Sequence, residues 1–140
     1  MSVLEKRETC FYEDSPYVRE LTPRDFDDYL VWKVANGGGL CAVVIFYAPW
    51  CAHCRKFKNA FEGAARRAAF IDFWAFNCEK YRGHIEKIRS DMPKLVTTYP
   101  TILAYRGGAP SEQFGGPRTA KNLEKFAMRV CAGADPKVRE

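Results

Sequence analysis

The amino-acid sequence predicts an α/β fold: a central, mostly parallel sheet with an antiparallel hairpin at one edge and helices on both faces. Three observations carry that reading. Strand-like runs alternate with helix-like ones along most of the chain, one strand-like run is apolar throughout, and a Gly-Gly turn separates the last two strands. A chain of 140 residues with 47% hydrophobic and 14% aromatic residues fits one domain with a real core, and excludes disorder as a description of the whole.

Residues 1–15 carry charge without periodicity and read as a polar arm, residues 16–132 as the domain, and residues 133–140 as a C-terminal tail. Tyr17 to Leu21 alternates as a short strand. Thr22-Pro23-Arg24-Asp25 then offers a capping hydroxyl, a proline at the first helical position and an acid three residues after the cap. Phe26, Tyr29, Leu30 and Val34 recur at helical spacing until Asn36-Gly37-Gly38-Gly39, which predicts a first helix. Cys41 to Tyr47 is apolar and β-branched, as suits a central strand covered on both faces. After Ala48-Pro49-Trp50, a stripe of Phe57, Ala60, Phe61, Ala64 and Ala65 predicts a helix from about Cys51, with Arg66 and Arg67 near its end, where positive charge is favourable. Phe70 to Cys78 reads as a buried strand, and Ile85, Ile88 and Met92 mark a helix ending before Pro93. Thr101 to Arg106 is a strand, Gly107-Gly108 its turn and Ser111 to Phe114 its hairpin partner, while Leu123, Phe126, Ala127 and Val130 line the last helix.

Composition narrows the function classes. Lys and Arg total 22 against 17 for Asp and Glu, and the +5 balance is scattered, so nucleic-acid binding is not expected. The longest apolar run, Leu40 to Pro49, is about half of what crosses a bilayer, so membrane insertion is not expected either. Met1 to Glu8 mixes both charges and lacks the apolar segment of a secretory signal. The chain reads as a protein that stays where it is made, or as a piece of a longer one.

Six cysteines stand at 10, 41, 51, 54, 78 and 131, irregularly spaced except for Cys51 and Cys54. A disulfide-stapled scaffold is not implied, and Cys10, Cys41, Cys78 and Cys131 read as small buried or unpaired groups. Cys51 and Cys54 lie three residues apart at a predicted helix start, with Cα atoms about 5–6 Å apart, inside the disulfide range. Unpaired N–H groups and the positive end of the helix dipole meet at Cys51, which favours thiolate there. His53 lies between them and is read as a cation supporting the thiolate, the plain alternative being an exposed surface histidine. A zinc site would need a second ligand pair, and the remaining candidates, Cys78 and His84, are isolated. Cys78 follows a strand parallel to the central one, which places it on the sheet edge where Cys51 lies.

Ala48-Pro49-Trp50-Cys51-Ala52-His53-Cys54-Arg55-Lys56-Phe57 resembles the catalytic domains of the protein disulfide isomerase family, within the thioredoxin superfamily. Tyr17 to Thr22 resembles that family's opening strand, Tyr99-Pro100-Thr101-Ile102 its cis-proline loop, and Gly115-Gly116-Pro117-Arg118-Thr119 the segment before its last helix. The resemblance covers about residues 15–132 and implies a thioredoxin fold. It further implies that Cys51 is the exposed nucleophile and Cys54 the resolving thiol of a redox-active disulfide. Trp50, Ala52, Tyr99 and Pro100 would face the substrate, with Pro100 cis, and Arg118 would approach Cys54 during turnover.

Three positions depart from the family pattern. Ile45 stands where a buried acid usually accepts the proton of the resolving thiol, Ala52 where glycine is typical, and Asn59 in place of a helix-kinking proline. Slower proton transfer from Cys54 is therefore expected unless another base serves.

The resulting reading is a thiol–disulfide oxidoreductase acting on protein cysteines together with a thiol/disulfide redox partner, with no metal or organic cofactor. It would work in the endoplasmic reticulum lumen if the chain is an excised domain, and in the cytoplasm otherwise. The alternatives are a thioredoxin-type reductase and a weakly active polypeptide-binding module. The oligomeric state is not written in the sequence.

Overall fold

The computed structural model describes residues 8–35 and 41–132. Strands β1 (Val18–Glu20), β2 (Cys41–Tyr47), β3 (Asp72–Asn77), β4 (Thr101–Arg106) and β5 (Ala109–Gln113) form one sheet in the order β1-β3-β2-β4-β5. Helices α1 (Ala52–Arg67), α2 (Arg82–Asp91) and α3 (Ala120–Val130) complete the chain order. This is the thioredoxin arrangement that the resemblance implied.

β2 occupies the middle of the sheet, as its seven fully covered residues demand. It pairs parallel with β3, which pairs parallel with β1, and antiparallel with β4, which forms the edge hairpin with β5. The sheet is thus mixed, and its antiparallel half begins one strand further in than the hairpin. Gly107 and Gly108 turn the hairpin at φ 61° and 84°. At Gly108 a Cβ would stand 2.6 Å from the Val34 carbonyl oxygen, so a side chain is excluded there by approach as well as by φ.

Each sheet face carries its own core. On one, α1 and α3 pack together over Val43, Ile45, Tyr47, Phe73 and Ile102, burying Phe57, Phe61, Leu123 and Phe126. On the other, α2 presents Ile85 and Ile88 to Val44, Phe46, Phe76 and Leu103. Residues 8–15 of the stretch read as a polar arm pack against the first core. Phe11 stacks on Tyr47 at 4.7 Å and Tyr12 is buried, while residues 1–7 and 133–140 lie outside the described residues.

The first expected helix is absent. Thr22 caps as predicted, with the reciprocal Asp25 bond, but only a 3-10 turn forms, at Pro23–Asp25. Phe26 and Val34 then form an antiparallel bridge, and the Asp27 carboxylate accepts the N–H groups of Tyr29 and Leu30. That local bond competes with helical hydrogen bonding. Sheet and helix partners satisfy the loop: Gly108 O accepts from Val34 N, the Tyr105 hydroxyl donates to Trp32 O, and His84 Nε2 bonds Val31 O. Phe26 and Val34 are buried but Tyr29 is 91% exposed, so the apparent stripe was two core anchors with a surface loop between them. The glycines expected to stop this helix, 37–39, lie outside the described residues.

Cys41 and Cys131, expected as small buried or unpaired groups, form a disulfide with Cα atoms 5.6 Å apart. Cys41 opens β2 and Cys131 closes α3, 90 residues later, so only the fold brings them together. A cross-link closing a loop this long constrains the unfolded chain strongly. The Cys41→Ser, Cys131→Ser double variant is expected to lose about 2–4 kcal/mol of unfolding free energy in denaturant titration. An unchanged midpoint would contradict that role.

Candidate functional site

The site forms where β2 runs out at the carboxyl edge of the sheet. Cys51 N donates to Ala48 O at 3.0 Å, turning the chain through Pro49 and Trp50, and Arg55 reinforces the turn by donating to Pro49 O at 3.1 Å. Cys51 is the N-cap residue of α1, with extended backbone at φ −77° and ψ 118°. Its sulfur accepts the Cys54 amide N–H at 3.3 Å, taking the place of the oxygen that usually satisfies an orphan donor at a helix start.

Across the sheet edge, the Tyr99–Pro100 bond is cis and the Tyr99 carbonyl stands 3.5 Å from Cys51 Sγ, so the thiol donates to it. Trp50, half-exposed, meets the Tyr99 ring edge-on at 6.0 Å. Arg89 from α2 fixes that ring by donating to the Tyr99 hydroxyl at 2.9 Å and lying over its face, with Val96 O holding the guanidinium. Cys51, Cys54, Trp50, Tyr99 and Pro100 therefore form one cluster.

Cys51 was expected to be exposed, but only 7% of it is accessible, with the Tyr99 carbonyl standing against its sulfur. Cys54 is fully buried, and that burial, with the Cys51 contact, pushes its thiol above the ordinary range. Both remain free thiols. His53 and Ala52 are exposed on the first turn of α1 between the two sulfurs, and His53 makes no hydrogen bond among the described residues. Arg118 is exposed between Pro117 and the Thr119 cap of α3, where it has no hydrogen bond or ion pair among the described residues.

Cys78 does reach the site's edge, but from the opposite core. Its amide donates to Tyr47 O, and its thiol contacts the Tyr99 side chain, with burial pushing the thiol up to about 12. Tyr99 thus touches Cys51 through its carbonyl and Cys78 through its side chain.

The sequence reading missed the polar group under α1. Tyr47 donates from its hydroxyl to Glu20 Oε2 at 2.6 Å, and the Tyr12 amide donates to the same oxygen at 2.9 Å. The available signal was the alternation in β1, where Val18 faces inward, Arg19 outward and Glu20 inward again. Ile45 is fully buried in an apolar register row with Ala75 and Ile102. Among the described residues no group of three or more His, Cys, Asp or Glu is arranged to hold a metal ion. Nor is any described helix long and apolar enough to cross a membrane.

Comparison with known proteins agrees with this fold. The family model described as Thioredoxin matches residues 18–129. The chain is 33% identical over 127 residues to protein disulfide-isomerase MPD1 of Saccharomyces cerevisiae, covering 89% of this chain and 36% of that protein. It is 32% identical over 119 residues to protein disulfide-isomerase 5-2 of Arabidopsis thaliana, covering 82% and 24% respectively. Among solved structures, the J-Trx1 fragment of ERdj5 superposes with a TM-score of 0.69 at 26% identity, covering 86% of this chain and 55% of that one. Human ERp44 in its zinc-bound form shares the fold at a TM-score of 0.64 and 21% identity, over 82% of this chain and 31% of that one. The chain thus spans about a third of the yeast relative and a quarter of the plant one.

Exposure at Cys10 and the amide donor at the Cys51 sulfur make the thiols distinguishable. In the native reduced protein, iodoacetamide is expected to label Cys51 and the partly exposed Cys10 at least about tenfold faster than Cys54 and Cys78, which lie buried with raised thiols. Peptide mass mapping reads this directly, and equal labelling of all four would refute the described packing.

Proposed function

The chain belongs to the thioredoxin family, and from that premise we propose that it is a thiol–disulfide oxidoreductase of the protein disulfide isomerase type, acting on the cysteines of other proteins. The observation that carries this reading is Cys51 Sγ at a helix start, held between the Cys54 amide and the Tyr99 carbonyl, with the Cys54 thiol directly beneath it.

Reduction of a substrate begins when the Cys51 thiolate attacks one sulfur of a substrate disulfide. A Cys51–substrate bond forms, the substrate S–S bond breaks, and the electron pair leaves with the other substrate sulfur. Cys54, having lost its proton, then attacks Cys51 Sγ, forming the Cys51–Cys54 disulfide and releasing the second substrate thiolate. Run in reverse, the oxidised pair donates a disulfide to a substrate dithiol, and isomerisation is the same exchange without net electron flow. An amide donor at the sulfur stabilises the charge that Cys51 carries as nucleophile and as leaving group.

Substrate binding is assigned to Trp50, Ala52, Tyr99 and Pro100. An extended substrate segment beside Cys51 would take up main-chain hydrogen bonds from the Tyr99 loop, and the half-exposed Trp50 offers an apolar contact next to it. His53, on the exposed turn between the sulfurs, supplies positive charge when protonated, and Arg118 serves Cys54 only if its loop moves inward. The working unit is residues 16–132 together with the packed segment 8–15, which sets Tyr12 in the core. A buried disulfide at Cys41–Cys131 persists best in an oxidising compartment, which supports the endoplasmic reticulum lumen over the cytoplasm.

Reactivation of a scrambled disulfide protein, run alongside insulin reduction, tests the reading. Cys51→Ser is expected to abolish both activities. Equal performance of the variant and the parent protein would favour a polypeptide-binding module, and strong insulin reduction without reactivation would favour a thioredoxin-type reductase.

A further inference from the structure

The step that most needs help from the protein is deprotonation of Cys54. That thiol is fully buried, and neither Ile45 nor the Ala75 and Ile102 beside it in register can take a proton. One carboxylate reaches the same core. Glu20 on β1 pairs with Ala75, which pairs with Ile45, so Glu20 stands in the same row two strands from Ile45. At about 4.8 Å per strand that is roughly 10 Å across the sheet.

Only one of its oxygens is occupied. Glu20 Oε2 accepts from the Tyr47 hydroxyl and the Tyr12 amide, while Glu20 Oε1 is buried without a hydrogen-bond partner. The Tyr12 hydroxyl is likewise buried and unpartnered. Tyr12 packs edge-on against Tyr47 and tilted against Phe61 of α1, inside the core that holds Cys54, and burial, with Glu20, Cys54 and Glu62 nearby, keeps its hydroxyl protonated. Two unsatisfied buried polar groups near a buried thiol are costly in an inert core and need an explanation.

We propose that Glu20 is the proton acceptor for Cys54, through a water held at the Tyr12 hydroxyl between them. The inference rests on the oxidoreductase reading above. As Cys54 attacks the mixed disulfide, its S–H bond breaks and the proton passes to that water, which gives one of its own protons to Glu20 Oε1. The new Cys54–Cys51 bond forms, the electron pair departs with the substrate thiolate, and Glu20 later returns its proton to that thiolate or to solvent. Glu20 and Tyr12 touch no substrate atom, so they act as relay and positioning groups.

The surroundings make the carboxylate a stronger base than an exposed one. Burial raises Glu20 from its ordinary carboxylate range, while the Tyr47 and Tyr12 hydrogen bonds pull it back. The other groups facing this pocket are Cys10 from the preceding segment, Lys80 after β3, and Glu62 of α1 on the Tyr12 side. The sign follows: the relay works where Glu20 is ionised, so its contribution appears as pH rises through the raised Glu20 value. It fades as pH rises further, because hydroxide takes the Cys54 proton at a growing rate while the carboxylate path stays level.

The test uses the full chain with a preformed mixed disulfide between Cys51 and glutathione, following glutathione release from about pH 6 to 9. Glu20→Gln is expected to slow release about tenfold or more in the lower half of that range, with the deficit closing at the upper end. Tyr12→Phe is expected to shift the profile the same way, and Ile45→Glu placed in the Glu20→Gln background to restore it. A Glu20→Gln profile identical to the parent, or a slowing equal at every pH, overturns the relay. Should Glu20→Gln fail to fold, Tyr12→Phe decides, and an unshifted profile overturns the proposal. Failure of Cys51 to form the mixed disulfide at all overturns the oxidoreductase reading itself, an outcome distinct from normal formation followed by Glu20-independent release.

Discussion

The Cys51 sulfur is gripped by two backbone groups from different parts of the chain: an amide at the start of α1 and a carbonyl on the loop entering β4. Everything else in the molecule serves that juxtaposition. β2 must end at the sheet edge for the helix to begin there, and β4 must enter antiparallel beside β2 for the Tyr99 loop to meet it. The pairing of Phe46 with Thr101 sets the register that brings the two loops level. A slip of one residue would turn every side chain of β4 to the wrong face.

The two cores are not equivalent in chemistry. The α2 side is dense with aromatic contacts around Phe76, including Phe26, Phe46 and Tyr81. The α1 side mixes rings with ionisable groups, since Cys51, Cys54, Tyr12 and Tyr47 share it with Phe57 and Phe61. Tyr99 packs against both and is held there by Arg89, so the ring that borders the sulfurs is anchored from the face opposite α1. Thiol chemistry is placed where low polarity strengthens each remaining charge interaction.

Much of this was readable from residue order. The unbroken apolar run from Cys41 to Tyr47 marked the central strand because a strand covered on both faces cannot alternate. The spacing of Cys51 and Cys54 after it marked the site. The misreading of Phe26, Tyr29, Leu30 and Val34 as a helix has a physical cause: periodicity cannot distinguish a stripe that is buried from one whose middle members are left in solvent. Asp27, which binds the backbone ahead of it, decided the matter. Glu20 escaped notice because a single acid in a short strand reads as surface, and only the tertiary approach of Tyr12 and Tyr47 shows it inside. The Cys41–Cys131 pair escaped because contacts 90 residues apart leave no local trace.

That pair also separates two kinds of sulfur chemistry. Cys41 opens the strand whose far end leads to Cys51, and seven residues of β2 span about 20 Å. Sulfurs so far apart cannot exchange directly within the folded domain. Because its second member closes the final helix, the covalent lock cannot shut until translation has passed residue 131. Nearly the whole domain must have emerged from the ribosome before this clasp can fasten it.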